Sequence, residues 1–501
     1  MITVTSVKTK NVKPMYFLLG VILSAISGIM LLLSFPPYGN WPLIWIAFVP
    51  YVFAQHRLLP SKWSSLAPAI ALLFWLGPYL ARIFGDEGGF FFKYLGVWIA
   101  VIVFFLQKER KFHELTRYRW FILQGVINWV GFEMIRTFIP MLATNAFTGY
   151  TQASQAWLIQ PVSVFSIYGM NLVIMLFNFT LAQGAMAWFD RKWQPGDVVP
   201  VDICASKRWL VGTGITLVVW IGISLFILSS APVDTPTVRV AALQPNFPEA
   251  AHIDPDTPAQ QRFQVLTEQI REAAGKGAQV IFTPEMGLAF DPKLEHTEEL
   301  RALAAETGAY FFITYVISNE IEFRNEAVVL TPSGEFLDVY GKNHAFGEPP
   351  TPTAGVYPVY DTSLGHLATM ICHDMNYTDV ARTLTRNGAQ LIAAPIREFG
   401  GVGEQLWSNS VFRAVENRVA IVFTGVAHNT ALIDPYGRLL ALKLNPEGER
   451  LTLVMDMPLG TGDAPLVRMG DWLGWLSLAG YIFFVVFESV VGKRAKKVVK
   501  S

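Results

Sequence analysis

Three side chains that are able to carry chemistry stand at the ends of predicted strands in the second half of this 501-residue chain. The apolar run that ends at Ile371 leads directly to Cys372, the run 280–282 precedes Glu285, and a third run precedes Lys342. A cysteine thiolate is a nucleophile, and it needs a nearby base and a positive charge to form at neutral pH. A carboxylate can accept the thiol proton, and an ammonium group can stabilise an oxyanion. The three residue types together suit acyl transfer.

Each of the three residues also has a plain structural explanation. A free cysteine is often a small buried hydrophobe, whereas Glu285 can be an acidic turn residue and Lys342 a solvated surface lysine. Their shared position favours a functional role, because strand ends in layered α/β folds hold side chains rigidly while loops shape a pocket. From these residues alone both explanations stay open.

The segment that carries the three residues, about 231–470, has the pattern of a layered α/β domain. Apolar runs typical of buried strands alternate with helix-like stretches such as 259–275 and 294–307, and this alternation favours a sheet covered by helices. Turns of the Pro-x-Gly type at 331–334 and 434–437 predict hairpins near the sheet edges.

The remainder of the chain predicts a membrane-embedded helical bundle. The composition is 52% hydrophobic, which is too apolar for an ordinary soluble protein, and the net charge of zero gives no sign of nucleic-acid binding. Eight apolar segments are about 20 residues long, the length that crosses a bilayer. They are 16–35, a segment from the Pro36-Pro37 turn to about Gln55, 66–84, 91–106, 120–141, a segment ending near Phe189, 209–229 and 472–491.

Lys and Arg fall in alternate connections between these segments, and the positive-inside rule converts this bias into a topology. Both termini are expected in the cytoplasm, and residues 231–470 on the other side of the membrane. The apolar run after Met15 lacks a small-residue cleavage site, so it is expected to stay as an anchor. The predicted domains are a bundle with spans one to seven (1–230), an extracytoplasmic catalytic domain (231–470), and a last span with a basic tail (471–501).

The two cysteines of the chain are Cys204 and Cys372. The predicted topology puts them on opposite sides of the membrane, so they are not expected to pair with each other. Cys372 would then be an unpaired thiol in an oxidising compartment, which is unusual unless the thiol is used.

Glu133 and Arg136 lie three residues apart within the fifth predicted span. Ionisable residues inside a membrane are costly, so they usually pair with each other or line a cavity. A structural pair inside the bundle and a contact with a substrate both fit this spacing.

Several stretches together resemble the apolipoprotein N-acyltransferases, the membrane-embedded branch of the nitrilase (carbon–nitrogen hydrolase) superfamily. The order Glu285, Lys342, Cys372 is that of the superfamily. Further similar stretches are Phe35-Pro36-Pro37, Phe132 to Arg136, Gly149 to Gln152, Gln244-Pro245-Asn246, Lys342-x-His344 with Phe346-Gly347-Glu348, Trp407 with Arg413 to Arg418, and Gly470-Asp471-Trp472. The resemblance covers essentially the whole chain.

The resemblance implies an αββα sandwich on a helical bundle in the bacterial inner membrane, with the catalytic domain on the periplasmic side. It implies that Cys372 takes an acyl chain from a phospholipid, typically phosphatidylethanolamine, and passes it to the α-amine of a lipoprotein's diacylglyceryl-cysteine. Glu285 would be the general base and Lys342 the stabiliser of thiolate and oxyanion, with no cofactor and no metal. Supporting roles would fall to Glu348, His373, Asp374 and Trp407.

The sequence departs from the family pattern in three places. The cysteine is usually followed by an aromatic residue and a glutamate, whereas His373 and Asp374 follow here. The segment from Lys342 to Glu348 is two residues shorter than the family pattern, and an Asn-Thr-Gly-x-Ser pattern is reduced to residues 428–430. His373 is expected to be a surface residue, with tuning of the thiol as the alternative.

Two other functions fit the same residues. A membrane-anchored amidohydrolase would resolve the thioester with water, but it would need one anchor rather than eight spans. A non-catalytic scaffold would keep the fold, but it would have no reason to keep Glu285, Lys342 and Cys372 together.

Overall fold

The protein consists of a helical region and a two-sheet domain joined through one buried interface. The computed structural model describes residues 14–84, 96, 99, 109–140, 142–193, 198–247, 259–397, 403–427, 429–444 and 449–500.

The helical region is built from elements of very different length. The long helices are α1 (Pro14–Ser34), α3 (Leu66–Phe84), α5 (Phe121–Arg136), α7 (Val162–Trp193) and α8 (Ile203–Ser229), and the short ones are α2 (Val49–Phe53), α4 (Glu109–Leu115) and α6 (Ala156–Ile159). The outward faces of α1 and α8 are apolar, with exposed side chains such as Ile22, Val211 and Val218. Such faces suit a lipid environment.

Five of the eight predicted spans correspond to described helices that are long and apolar enough to cross a membrane: Pro14–Ser34, Ser61–Arg82, Val162–Trp193, Ile203–Ser229 and Trp472–Ala495. The fifth predicted span, 120–141, is the 16-residue helix α5. Most of the fourth, 91–106, lies outside the described residues.

The second predicted span is not one continuous helix. It is divided into a 3₁₀ turn (Trp41–Trp45), the five-residue α2, and a π turn (Ala54–Leu58). Pro42 and Pro50 each occupy the start of a helical segment, because proline lacks the N–H that a helix interior requires. The prediction of this span used only its hydrophobicity, which does not indicate the two breaks.

The second half of the chain forms the predicted αββα sandwich of two six-stranded sheets. One sheet has the order β12-β1-β2-β3-β4-β5 and the other β11-β10-β9-β8-β7-β6. In chain order the strands are β1 (Thr237–Gln244), β2 (Val280–Phe282), β3 (Tyr310–Ser318), β4 (Phe323–Leu330), β5 (Phe336–Gly341), β6 (Tyr360–Thr362), β7 (Gly365–Thr369), β8 (Leu391–Ile396), β9 (Ala420–Gly425), β10 (Asn429–Ile433), β11 (Leu439–Leu444) and β12 (Leu451–Pro458). The two Pro-x-Gly turns join the antiparallel pairs β4–β5 and β10–β11, as predicted.

Helices cover both outer faces of the sandwich, because each sheet has two apolar faces to bury. The helices are α9 (Ala259–Gly275), α10 (Thr297–Thr307), α11 (Thr378–Arg386), α12 (Gly403–Asn417) and α13 (Pro465–Met469), and the chain ends in α14 (Trp472–Lys500). Side chains such as Phe282 and Leu367 fill the space between the sheets. Phe263 on α9 packs on the outer face of the first sheet.

The outer face of the second sheet joins the helical region in one continuous apolar core. Val380 on α11 and Phe412 on α12 belong to the same buried cluster as Phe147 and Ile159 of the helical region. Since α11 and α12 are covered by the bundle rather than by water, the two regions form one packed unit.

A broken helix adds a polar connection to this interface. Ser166 has φ +57° and ψ −179°, so α7 is interrupted there. The Ser166 hydroxyl and the backbone N–H of Ile167 both donate to Oε1 of Glu416 on α12, at 3.0 and 2.7 Å. The carboxylate thus satisfies a helix N–H that the interruption leaves without its usual partner.

The last helix packs against α5 at very short range. A Cβ placed on Gly131 would lie 2.6 Å from the backbone oxygen of Ser477. Any larger residue at position 131 would clash with the backbone of α14, so the packing of α5 against α14 requires glycine there.

Candidate active site

The three residues that the sequence singled out meet at one end of the two sheets. Glu285 follows β2, Lys342 follows β5, and Cys372 follows β7. The strands β1, β2 and β3 are mutually parallel, as are β7, β8 and β9, so each sheet brings several carboxyl ends to one edge. Glu285 and Lys342 are buried, at 2% and 5% exposure.

The Glu285 carboxylate is held by three donors from different strands. Oε1 accepts from Nδ2 of Asn325 at 2.8 Å and from Nζ of Lys342 at 3.0 Å. Oε2 accepts from the backbone N–H of Arg397, which follows β8, at 2.7 Å. The Cys372 thiol lies beside this carboxylate, close enough for each group to shift the pKa of the other. Glu285 is therefore fixed in orientation and touches both other members of the trio.

The Lys342 ammonium lies between two carboxylates. Its Nζ is 3.0 Å from Oε1 of Glu285 and 2.5 Å from Oε1 of Glu348. Glu348 reaches Lys342 although the connecting segment is short, and its Oε2 accepts from the backbone N–H of Phe346 at 2.9 Å. A buried ammonium group needs such partners to remain charged.

Cys372 has an unusual backbone conformation for a residue with a side chain. It opens a 3₁₀ turn (Cys372–Asn376), and its φ is +49°. Non-glycine residues are seldom found in this left-handed region, and they persist where the surrounding structure imposes it. Because of this turn, the thiol lies beyond the end of β7 and beside Glu285.

Burial and charge set the resting protonation states of the trio. Burial, followed by the Glu285 carboxylate, raises the pKa of the Cys372 thiol well above its usual range. Burial by itself raises the pKa of Glu285, but Lys342 and then Asn325 outweigh it and hold this pKa below its usual value. Burial lowers the pKa of Lys342, but Glu285 and Cys372 outweigh it and raise the pKa. The resting site therefore contains a neutral thiol beside a carboxylate and an ammonium ion.

Asp374 is a structural brace between the turn of Cys372 and the loop of Lys342. It is fully buried, and its oxygens accept from the Tyr340 hydroxyl at 2.6 Å and from the backbone N–H groups of Ile371 and His344 at 2.9 and 2.7 Å. Because Ile371 precedes Cys372 and His344 follows Lys342 by two residues, one carboxylate fixes two parts of the site.

The expectation that His373 is a surface residue is wrong, because its side chain is buried at 2% exposure. Nε2 donates to the carbonyl oxygen of Pro140 at 2.7 Å, and Nδ1 accepts from Nδ2 of Asn376 at 2.8 Å. Pro140 lies just after α5, so the imidazole joins the Cys372 turn to the helical region. Burial lowers the pKa of His373 to about 4.

Trp407 lies on α12 and is buried in the apolar cluster against which Cys372 packs. It thus contributes to the apolar surroundings of the site.

Two residues of the site went unnoticed in the sequence. Asn325 on β4 donates to Glu285, and its backbone carbonyl accepts from the N–H of Lys342 at 3.0 Å. The backbone N–H of Arg397 is the third donor to Glu285. Asn325 stands between two other polar residues of β4, Arg324 and Glu326, so its position in the sequence did not distinguish it. A backbone donor leaves no sequence signal.

Glu133 and Arg136 belong to the helical region rather than to this site. Glu133 accepts from Nε1 of Trp129 at 2.9 Å and from Nδ2 of Asn171 at 2.7 Å. Arg136 donates to the backbone carbonyl of Asn145. Each side chain thus has its own structural partners.

Two family models match this chain, and together they span both regions of the fold. The model described as Apolipoprotein N-acyltransferase N-terminal domain matches residues 27–180. The Carbon-nitrogen hydrolase model matches residues 239–464, which is nearly all of the sandwich.

Relatives of similar length align along nearly the whole chain. The apolipoprotein N-acyltransferase of Geobacter metallireducens is 25% identical over 92% of this chain and 93% of its own length. That of Thermotoga maritima is 23% identical over 95% of each. A solved amidase from Nesterenkonia sp. aligns with 49% of this chain and 100% of its own, at 21% identity and a TM-score of 0.38. The two family models and the relatives of similar length show that this chain is a member of the apolipoprotein N-acyltransferase family of nitrilase-like membrane enzymes.

Proposed function

We propose that this protein transfers an acyl chain from a phospholipid to the α-amino group of the diacylglyceryl-cysteine of apolipoproteins. The reaction proceeds in two half-reactions through a thioester on Cys372. One observation carries the proposal: the Cys372 thiol lies beside a buried Glu285 carboxylate that also accepts a hydrogen bond from the Lys342 ammonium. This is the acid–base and charge arrangement that a thiol nucleophile requires.

In the first half-reaction the thiol attacks the ester carbonyl carbon of the phospholipid. The thiol proton passes to Glu285 as the carbon–sulfur bond forms, and the carbonyl oxygen becomes an oxyanion that Lys342 stabilises. Collapse of this intermediate breaks the carbon–oxygen bond of the ester. Glu285 then returns the proton to the departing glycerol oxygen, so a lysophospholipid leaves and the acyl chain stays on Cys372.

In the second half-reaction the lipoprotein amine attacks the thioester carbonyl. Glu285 accepts a proton from the amine, the carbon–sulfur bond breaks, and the proton returns to the Cys372 sulfur. A thioester that waits for an amine must be kept from water. The burial of Glu285 and Lys342, and the packing of Cys372 against the apolar core, support such exclusion.

The position of the nucleophile supports a lipid donor. The residues after Cys372 contact the end of the helical region: His373 and Tyr377 both donate to the carbonyl oxygen of Pro140, at 2.7 and 2.8 Å. The Thr144 hydroxyl donates to the Asn376 carbonyl at 2.6 Å. A thiol at this junction is within reach of an ester that rises from the bilayer surface, whereas a soluble amide would need no such junction.

The membrane arrangement belongs to the same proposal. We assign residues 1–230 and 471–501 to the membrane bundle and its tail, and residues 231–470 to a catalytic domain on the periplasmic side of the bacterial inner membrane. The alternating Lys and Arg connections support this orientation. Reporter fusions at Thr235 and after Lys500 should report opposite sides, and the same side for both would contradict the orientation.

The transfer reaction can be tested with purified protein in detergent. Phosphatidylethanolamine with an isotope-labelled acyl chain serves as donor, and a peptide with an N-terminal diacylglyceryl-cysteine serves as acceptor. Mass spectrometry should find the labelled chain on the peptide amine, and an N-acetylated peptide should gain none.

Two cysteine variants form a matched pair for this assay. Cys372→Ser should abolish transfer, because an alcohol beside Glu285 is a much weaker nucleophile than a thiol. Cys204→Ser, at an exposed cysteine in the helical region, should transfer at the wild-type rate. Release of labelled fatty acid with no acylated peptide would favour the amidohydrolase instead. Loss of transfer in Cys204→Ser alone would overturn the site.

A further inference from the structure

A cavity of about 570 Å³ lies at the end of the helical region farthest from the sandwich. It is lined by residues from the connection before α5, from the second half of α7 and from the start of α8. These are Arg117, Tyr118, Arg119, Gln183, Asp202, Ala205, Arg208 and Trp209. On α7, Gln183 is 17 residues beyond the interruption at Ser166, which is about 25 Å along a helix. The cavity is thus nearly a bilayer thickness away from the sandwich.

The charge of the cavity is strongly positive. Arg117, Arg119 and Arg208 contribute three guanidinium groups, against the single carboxylate of Asp202. In the part of the chain that the structure describes, no acidic side chain forms an ion pair with any of the three arginines. Oδ1 of Asp202 is occupied by the backbone N–H of Cys204, at 2.8 Å. Guanidinium groups suit phosphate oxygens in particular, because they donate two parallel hydrogen bonds.

A buried polar side chain faces the same space without a partner. Gln183 is 3% exposed, and its Oε1 makes no hydrogen bond within the described residues. An unpaired buried amide costs free energy unless a ligand or water satisfies it. Its amide group can donate to a phosphate oxygen after a rotation about the terminal bond, because the two ends of the amide are alike in shape.

The surroundings place this cavity at a membrane–water boundary. Lys207 and Arg208 precede Trp209, and the exposed apolar face of α8 begins immediately afterwards with Leu210 and Val211. Tryptophan is enriched at that boundary, and basic pockets between helices bind lipid headgroups. The cavity therefore opens at the level where phospholipid headgroups lie.

We infer that the cavity bounded by Arg117, Gln183 and Arg208 is a binding site for the phosphate group of an anionic phospholipid headgroup, separate from the acyl-transfer site. The three guanidinium groups contact the phosphate oxygens, the Gln183 amide donates to one of them, and the acyl chains run along the apolar face of α8. A free phosphate ion can accept the same hydrogen bonds from the arginines. It has no apolar part, however, to contact Trp209 and Ala205, which also line the cavity. The inference is independent of the proposed reaction.

Native mass spectrometry of the full chain in detergent tests the site, with dioleoyl phosphatidylglycerol as the probe. The wild type should bind it saturably. Zwitterionic dioleoyl phosphatidylcholine should bind more weakly, because its choline repels the arginines. The variant Arg117→Gln/Arg208→Gln should bind phosphatidylglycerol at least about tenfold more weakly, since each lost charged hydrogen bond is worth about a factor of ten or more. Ala205→Phe should weaken binding as well, because it fills the cavity and leaves all three arginines in place.

The control is Arg191→Gln/Lys192→Gln, which removes two exposed charges at the same end of α7 without touching the cavity. It should bind phosphatidylglycerol like the wild type, and the cavity variants should keep wild-type acyl transfer, which verifies their fold.

Inorganic phosphate is the competing probe: displacement of the lipid only at far higher concentration supports the headgroup as the ligand. Binding of inorganic phosphate to the wild type but not to the cavity variants, with no lipid bound, would assign the site to free phosphate. Equal lipid binding by the cavity variants and the control would overturn the inference. Should the double variant fail to fold, Ala205→Phe decides the question.

Discussion

Nε2 of His373 lies 2.7 Å from the carbonyl oxygen of Pro140, and this contact joins the turn of the nucleophile to the segment that follows α5. Nδ1 of the same ring accepts from Asn376, whose Oδ1 in turn accepts from Asn409 on α12. The chain of hydrogen bonds requires a neutral imidazole with its proton on Nε2, because Nδ1 must remain an acceptor. The hydrogen bond between Asn376 and His373 at this junction therefore depends on the protonation state of the histidine.

We expect His373 to make stability depend on pH between about 4 and 6.5. Burial lowers the pKa of folded His373 from 6.5 to about 4, so in this window the unfolded state binds more protons than the folded state. Stability then rises with pH through the window, and it is lost as the pH falls. Replacing the ring by His373→Gln should remove this dependence, which is about 3 kcal/mol. Thermal unfolding midpoints at several pH values measure it.

The matched control is His366→Gln, because His366 is half exposed and lies away from the junction. It should leave the dependence of the unfolding midpoint on pH unchanged. An identical pH dependence in His373→Gln and the wild type would show that another group is responsible.

Asp374→Asn should loosen the site by disrupting the brace between its two loops. All the groups that contact the Asp374 carboxylate are hydrogen-bond donors. In the asparagine variant the side-chain NH₂ group would therefore face a donor, and neither group could form a hydrogen bond there. A buried donor or acceptor without a partner costs about 1–3 kcal/mol. We expect a lower unfolding midpoint together with slower acyl transfer. Asp361→Asn, at an exposed position, serves as the control and should change neither quantity. Wild-type stability of Asp374→Asn would contradict the bracing role.

Lys342→Ala should lower the rate of acyl transfer by about 10²–10³, the usual cost of removing one oxyanion-stabilising contact. It should also shift the acid limb of the pH–rate profile to higher pH. Lys342 helps to hold the pKa of Glu285 below its usual value, so its removal lets Glu285 become protonated, and inactive as a base, at a higher pH. Lys276→Ala, which removes an exposed ammonium group, is the control. An unchanged acid limb in Lys342→Ala would argue against Glu285 as the base.

Glu133→Gln should reduce the amount of folded protein more than the activity of each molecule. Both carboxylate oxygens of Glu133 accept hydrogen bonds, from Trp129 and Asn171, so a side-chain amide would leave one donor unsatisfied inside the bundle. Quantitative immunoblots of membranes, combined with the transfer assay per milligram of protein, separate the two effects. Normal abundance with lost activity would point to a substrate contact instead.

The parts of the fold that follow a local pattern could be read from the sequence. The apolar run 280–282 is a strand, the stretch 259–275 is α9, and both Pro-x-Gly turns are hairpins. The trio itself was accessible because each member directly follows such a run. The structure brings Lys342 and Cys372 to Glu285, and the catalytic roles assigned to the three residues stay a prediction.

The contacts that depend on distant residues could not be read in this way. His373 is buried where it donates to the carbonyl oxygen of Pro140, which lies 233 positions earlier in the chain. Asp374 follows the nucleophile in sequence, but its function as a brace depends on the loop of Lys342. The second predicted span is divided at Pro42 and Pro50. The two prolines are a local signal of this division, but the prediction used the hydrophobicity of the whole segment and missed them.

The mass of the intact protein after incubation with phospholipid alone tests the central claim most directly. Without an acceptor amine, the wild type should gain the mass of one acyl chain, and hydroxylamine should remove it, because a thioester is labile to this reagent and an amide is not. Cys372→Ala should gain nothing, Glu285→Gln should gain the chain very slowly, and a diacylglyceryl-cysteine peptide should discharge the wild-type adduct much faster than water does. A correctly folded wild type that never forms this adduct with any phospholipid would contradict the account.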